Sequence, residues 1–213
     1  MNNKISKNSI RRLIRYRTVL QRFQNMGLGK VFSDNLAEAL DIKASQVRKD
    51  FSLFNLTGNK RGGYVIGDLL EKITNIIGKN RTYNTIIIGA GNLGKALLQY
   101  TGFEKEDIKI KAAFDIDPAE THKQYSTPVL PMENLHSFIQ ENDIEIAILT
   151  TPALAAQRVM DLLVKANIKG VLNFAPIRLK APKEIFINNV NLLQELENII
   201  FFIKEKKEKI AVI

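Results

Sequence analysis

One stretch narrows the possible folds more than any other: Thr85-Ile86-Ile87-Ile88-Gly89-Ala90-Gly91-Asn92-Leu93-Gly94-Lys95-Ala96-Leu97-Leu98. A run of branched apolar residues feeds a G-x-G-x-x-G pattern, and a helical pattern starts directly behind it. Strand, tight turn and helix in that order make the first turn of a dinucleotide-binding sheet. Gly89 is placed to make the turn. Gly91, with no Cβ, lets a pyrophosphate approach the backbone, and Gly94 lets the helix lie close to the strand. Ala90, Asn92 and Leu93 complete the loop, where the first helical amides carry partial positive charge. A glycine-rich strand-to-helix turn with no ligand has the same pattern, so the neighbouring residues must discriminate.

Ile108 to Phe114 reads as a second strand, and it ends in Asp115-Ile116-Asp117-Pro118. Asp115 lies 21 positions past Gly94, near the spacing of about 20 for an acid that binds a ribose hydroxyl. A carboxylate there repels a 2′-phosphate and no arginine directly follows, which favours NAD over NADP. The alternative for Asp115 and Asp117 is a plain strand-end turn before Pro118.

The alternation continues along the chain. Helix is expected from Asn92 to about Tyr100, a short strand over Thr127–Leu130 and helix over Met132–Gln140. A buried strand over Glu145–Thr150, helix over Ala153–Ala166, strand over Gly170–Phe174 and a last strand over Glu184–Val190 follow. Such βαβ alternation implies a parallel sheet with right-handed crossovers. Ligands of these sheets sit beyond the carboxyl ends of the strands. Gly89, Asp115, Thr151 and Asn173 all fall at strand ends and are expected on one rim, with Pro152 and Phe174 directly following. Loop punctuation is the other reading of Thr151 and Asn173.

The net charge of +9 sits entirely on the first third of the chain. Residues 1–80 hold 15 Lys+Arg against 6 Asp+Glu, and the remainder is neutral. A basic segment joined to a neutral one points to a polyanionic partner for the first. Ser9–Asn25 reads as a helix ended by Gly27-Leu28-Gly29. Ser33 is expected to cap a second helix, Asp34–Leu40, with Leu36, Ala37 and Leu40 inward. A third helix starts at Ala44, with Val47, Phe51 and Phe54 inward. Two short helices joined by a turn make a helix-turn-helix. Ser45, Gln46, Arg48 and Lys49 face outward in that arrangement and suit base edges and phosphates. A small bundle with a solvated charged helix is the bland alternative. Gly58 to Ile66 looks like a β-hairpin wing with Lys60 and Arg61 at its tip, within reach of phosphates or a minor groove. Asp68–Ile77 reads as a helix leading out, and the polar stretch Gly78–Thr82 marks a boundary.

Asn191–Lys209 reads as a terminal helix with a wide apolar stripe of Leu192, Leu193, Leu196, Ile199, Ile200 and Ile203. It must bury itself on its own sheet or on a second subunit; a helix-turn-helix protein usually needs a dimer. The chain has no cysteine, which excludes disulfides, thiolate metal sites and thiol catalysis. Met1–Ile10 has no apolar signal core, and the fully apolar run Ile199–Ile203 is far too short for a bilayer. A soluble, cytoplasmic protein with no metal site is expected. The expected plan is α/β: an N-terminal winged helix-turn-helix domain (1–80), a Rossmann-type parallel-sheet domain (81–190) and a C-terminal dimerisation helix (191–213).

These residues together resemble the redox-sensing transcriptional repressors of the Rex family, over nearly the whole chain. The resemblance rests on Ala44-Ser45-Gln46-Val47-Arg48-Lys49-Asp50, on Gly58–Tyr64, on Gly89–Gly94 and on Gly170-Val171-Leu172-Asn173-Phe174-Ala175-Pro176. It implies a winged-helix domain, an NAD(H)-binding Rossmann domain and a C-terminal helix exchanged within a homodimer. It further implies that NADH binding releases operator DNA, which the NAD+ or free form holds. Relatives tend to carry an aspartate at the place of Asn191, a partner for Tyr100 across the dimer; Asn191 keeps the hydrogen bond and not the charge. Tyr100, Asn191 and Leu192 are therefore the expected switch and dimer residues. The wing Lys60-Arg61-Gly62-Gly63 also departs from the single basic residue and Gly-Val-Gly common in relatives.

Two other functions compete. A dehydrogenase needs a catalytic group over the nicotinamide. No tyrosine has a lysine four residues on, and His122 and His136, the only imidazoles, fall away from strand ends. A regulator answering a coenzyme A compound, or no ligand, also fits the glycine turn, which tolerates other diphosphates.

Overall fold

The computed structural model describes residues 5–59, 62–118 and 126–211, with side chains as far as Glu205. The chain divides into two compact units, Met1–Arg81 and Thr82–Ile213.

The first unit runs α1 (Lys7–Asn25), β1 (Lys30–Val31), α2 (Ser33–Leu40), α3 (Ala44–Leu53), β2 (Tyr64–Val65) and α4 (Ile66–Ile76). Leu13, Tyr16 and Leu20 recur at helical spacing on α1 and are fully buried. They meet Leu36 and Leu40 of α2, Val47 and Phe51 of α3, and Ile66, Leu69 and Ile73 of α4 in one core. Phe51 stands edge-on to Tyr16 at 5.4 Å and to Tyr64 at 5.0 Å between ring centroids. Asp41, at φ 52°, turns the chain from α2 towards α3; aspartate tolerates that left-handed conformation better than most residues. The helix-turn-helix is thus present, with Val47, Phe51 and Phe54 inward as expected.

Two local expectations are corrected. Ser33 does not cap α2: it is the first helical residue, and Phe32 holds the cap position in extended conformation. Asn35 reaches back to accept the Phe32 N–H at 2.9 Å, so the cap is satisfied from the third helical residue. The hairpin is closed by an antiparallel bridge between Asn59 and Gly63, but among the described residues Tyr64–Val65 does not continue that ladder. It pairs antiparallel with Lys30–Val31, which brings Val31 and Tyr64 together onto the core. Lys60 and Arg61 lie outside the described residues.

The second unit holds β3 (Tyr83–Ile88), α5 (Asn92–Leu98), β4 (Ile108–Asp115), β5 (Val129–Pro131), α6 (Leu135–Glu141), β6 (Ile146–Leu149), α7 (Ala153–Lys165), β7 (Gly170–Asn173), β8 (Phe186–Asn189) and α8 (Leu192–Ala211). The six strands form one parallel sheet in the order β5-β4-β3-β6-β7-β8. The chain winds outward from β3 on one side, then returns to lay β6 on the other. Such a reversal leaves a crevice at the strand ends, here between β3 and β6. Side chains of β3 alternate between two cores. Ile86 and Ile88 pack with Phe114, Leu149 and the α6–α7 side. Ile87 packs with Ala113 and Ile148 on the face that α5 covers. A 3-10 turn over Met132–Asn134 replaces the first turn of the helix expected over Met132–Gln140, and another, Glu104–Glu106, lies between α5 and β4.

α8 is the departure from a closed globule. Leu193, Ile200 and Phe202 are each about two-thirds exposed (64%, 65% and 64%). No residue of this helix with a described side chain is buried, so it does not pack on its own sheet. Among the described residues, no helix is long and apolar enough to cross a membrane.

Candidate functional site

The glycine turn has the geometry its three glycines were assigned. Gly89 sits at φ +100°, a conformation that side chains with a Cβ rarely adopt. A Cβ on Gly94 would collide with the Gly89 carbonyl oxygen, so glycine is what lets α5 approach β3. A Cβ on Gly91 would meet nothing within 4 Å, so the space in front of the turn is open. The turn is clamped from both neighbouring strands. Gly89 N–H donates to the Phe114 carbonyl at 2.8 Å. The Thr150 hydroxyl shares its proton between the carbonyls of Gly89 (2.7 Å) and Ile88 (3.0 Å). Thr150 was not singled out in the sequence; its position one residue before Thr151 was the available signal.

A cleft of about 520 Å³ opens in front of this turn, beyond the ends of β3, β4 and β6. Gly89, Gly91, Asp115, Thr151 and Pro152 line it together with Ile116, Met132 and Ala155. The Asp115 carboxylate accepts the Ala90 N–H at 2.5 Å and the Asp117 N–H at 3.1 Å. Ile116 is 91% exposed on the cleft wall, an apolar surface that pattern reading had passed over as a loop residue. The Thr151 hydroxyl oxygen is buried and has no hydrogen-bond partner. Buried polar groups are nearly always satisfied, so an orphan on a cleft wall marks where a ligand's polar atom belongs. Open space before Gly91, a carboxylate with lone pairs to spare and a waiting hydroxyl fit a phosphorylated nucleotide with a free ribose.

Other residues expected on the rim are placed differently. Asn92 and Leu93 open α5 and are exposed, while Ala90 and Gly94 are buried beneath the turn. Asn173 is not on the cleft. It is fully buried, its Nδ2 donates to the carbonyls of Ala175 and Ile177 and to Asn189 Oδ1, and its Oδ1 accepts the Ala175 N–H. That network ties the end of β7 to the following loop. Phe174 packs half-buried against the core on the α5 face. Tyr100, 60% exposed, lies past the end of α5 with its ring edge-on to Phe103 at 5.0 Å and against Gly102. The Asn191 side chain accepts the Gln194 N–H at 3.2 Å and so caps α8, a role asparagine fills as well as aspartate. Leu192 begins the exposed apolar face.

In the first unit, Ser45, Arg48 and Lys49 are exposed on α3. Arg48 stands 3.9 Å from Asp34, and both are well exposed. Gln46 is half-buried instead: its Nε2 donates to Asp50 at 2.9 Å. Asp50, 1% exposed, is the hub. It accepts from Arg12 Nε (2.6 Å) and Nη2 (2.7 Å) and from the Tyr16 hydroxyl (2.8 Å). Burial pushes the Asp50 carboxyl up, but the hydrogen bonds from Arg12 and Tyr16 outweigh it and hold it below its ordinary value. Burial, and then the same carboxylate, push the Tyr16 hydroxyl well above its ordinary value of 10.0. Helical periodicity alone gives Tyr16 no polar partner, because Asp50 is 34 residues away.

The comparisons with known proteins agree with this geometry. A "CoA binding domain" family model matches residues 80–177, and a second, named for the N-terminus of candidate DNA-binding proteins, matches residues 4–52. A redox-sensing transcriptional repressor Rex of Lactobacillus acidophilus is 40% identical over 206 residues, covering 96% of this chain and 98% of that protein. The chain belongs to the Rex family. The Rex of Caldanaerobacter subterraneus is likewise 40% identical, over 95% of this chain and 91% of its own. Among solved structures, the Rex-family repressor RSP in complex with β-NADH matches with a TM-score of 0.88, 37% identity and full coverage of both chains. RSP with β-NAD+ and operator DNA matches with a TM-score of 0.91 and 37% identity over 99% of this chain and 98% of that one. Rex proteins are transcriptional repressors and not enzymes.

Proposed function

We propose that this Rex protein is a cytoplasmic homodimeric repressor that reads the NADH/NAD+ balance: NADH binding releases it from operator DNA, and the NAD+ or free form holds the operator. Gly89, Ala90, Gly91, Asn92, Leu93 and Gly94 form the bed for the pyrophosphate. Asp115 accepts from the ribose hydroxyls, with Asp117 beside it. Thr151 and Pro152 close the cleft from β6. Ser45, Gln46, Arg48 and Lys49 face the major groove, with Lys60 and Arg61 on the wing. Residues 1–80 and 81–190 are the two working domains, and residues 191–213 the dimerisation segment. α8 covers its bare apolar face with a second copy, and Tyr100, Asn191 and Leu192 lie where subunits and cofactor communicate.

The observation that carries this reading is the orphaned Thr151 hydroxyl in a cleft shared with Gly91 and Asp115. The mechanism is differential binding: a ligand shifts a dimer only by preferring one of its shapes. NADH favours the shape whose recognition helices no longer match half-sites spaced by about 34–36 Å. The test is operator binding by gel shift with NADH and NAD+ added separately. NADH should release the DNA and NAD+ should not. Coupling is reciprocal, so operator must weaken NADH binding by the same factor. Equal NADH affinity with and without operator would overturn the reading.

The match of residues 80–177 to a CoA binding domain favours one second reading, a regulator answering a coenzyme A compound. Competition of coenzyme A against bound NADH separates the two.

A further inference from the structure

Gln46 stands in the first turn of α3, the second helix of the helix-turn-helix, where side chains reach base edges in such domains. Its Nε2 donates to the Asp50 carboxylate at 2.9 Å. A carboxylate can only accept, so the amide has one compatible orientation: nitrogen towards Asp50 and Oε1 away from it. Asp50 cannot swing to follow a turning amide. Arg12 and Tyr16, both on α1, hold its two oxygens in three further hydrogen bonds, and it is 1% exposed. A cleft of about 480 Å³ beside it is lined by Arg12, Gln46, Lys49 and Asp50 itself.

We propose that Asp50 is a positioning residue that locks the Gln46 amide to accept adenine and reject guanine in the major groove. The inference rests on the operator-binding reading above and adds the base that one side chain selects. Adenine offers an N6 donor and an N7 acceptor in the groove, whereas guanine offers two acceptors, O6 and N7. The locked amide presents Oε1 and its second Nε2 hydrogen, which match adenine atom for atom. Guanine would set its O6 against Gln46 Oε1. A glutamine free to rotate would turn its NH2 group to guanine and lose the distinction. Asp50 thus converts a permissive side chain into a selective one without touching DNA itself.

The test is selection of sites from a randomised duplex library by the full-length protein, compared for wild type, Gln46→Ala and Asp50→Ala. Wild type should prefer adenine to guanine by on the order of ten- to a hundredfold at one position of each half-site. Gln46→Ala should lose that preference and keep the others. Asp50→Ala removes the acceptor that holds Gln46, so the amide is free to turn and the preference should collapse at that position alone. A Gln46→Ala motif identical to wild type overturns the proposal. So does a folded Asp50→Ala protein that keeps the adenine preference or weakens every position equally. If Asp50→Ala does not fold, wild type decides: a single adenine-to-guanine change at the Gln46-dependent position must cost at least tenfold, and only a severalfold cost means a freely rotating amide and ends the proposal. Failure of wild type to enrich any sequence sinks the operator-binding reading itself, and is distinct from a wild-type motif indifferent to Gln46.

Discussion

The Asp115 carboxylate accepts the backbone N–H of Ala90 across the two strand ends, at 2.5 Å. The acid proposed to meet a ribose therefore also anchors the glycine turn proposed to hold the phosphates. On that reading, recognition of the sugar and the shape of the loop depend on one side chain. Asp115→Ala removes both. Hydrogen bonds to a charged group are worth about 1.5–3 kcal/mol, so NADH should bind roughly ten- to a hundredfold more weakly in a fluorescence titration. Operator binding without NADH should persist, and its release should need roughly ten- to a hundredfold more NADH. Unchanged NADH affinity would move the ligand elsewhere or change its class.

Thr151 yields a prediction with opposite signs in two measurements. Its hydroxyl is buried without a partner, which costs stability in the ligand-free protein. Thr151→Val keeps the shape and deletes the unpaired group. Ligand-free stability in a urea titration should hold or rise by about 1 kcal/mol. NADH affinity should fall by about 1 kcal/mol, or roughly fivefold. A fall in both would mean that the hydroxyl has a structural partner.

The Asp50 hub makes the first unit sensitive to pH at both ends. Asp50 has a folded-state pKa below its ordinary 3.8. Its contribution is full above that value and is lost as pH falls through the lower folded one. Tyr16 is raised above its ordinary 10.0. Its contribution is full below pH 10 and declines as pH rises beyond it, because the unfolded chain ionises first. Chemical denaturation against pH should show stability falling below about pH 4 and above about pH 10. Asp50→Asn should flatten the acid limb, and Tyr16→Phe the alkaline one. An acid limb of wild-type steepness in Asp50→Asn would place the titrating group elsewhere.

Ile200 is 65% exposed on α8, so a charge there costs the single chain little. Ile200→Asp should leave the circular dichroism and the NADH cleft intact. Placed at a subunit contact, however, it buries an unpaired charge, at a cost of several kcal/mol. Sedimentation should show a monomer, and operator affinity should drop sharply because two half-sites are no longer held together. A stable dimer would locate the interface away from α8.

The elements of this fold were legible because their signals are local. A branched run before Gly89, the 21-residue step to Asp115 and the apolar stripe of α1 each repeat with the period of the structure they form. The basic first third and the apolar stripe of the terminal helix were legible for the same reason: charge and apolarity are properties of a stretch. What local patterns could not carry was pairing between residues far apart in the chain. Asn173 looks like a rim residue at a strand end, yet four hydrogen bonds draw it inside. Gln46 looks like a free reader of bases, yet Asp50 holds its amide, and Asp50 is itself held from α1, 34 and 38 residues away. The strand paired with Tyr64–Val65 comes from beyond α2, not from its own hairpin. Periodicity states which face of an element is apolar. Only the packed chain determines which polar atom meets which, because a hydrogen bond is decided within a fraction of an ångström and no sequence spacing encodes that distance.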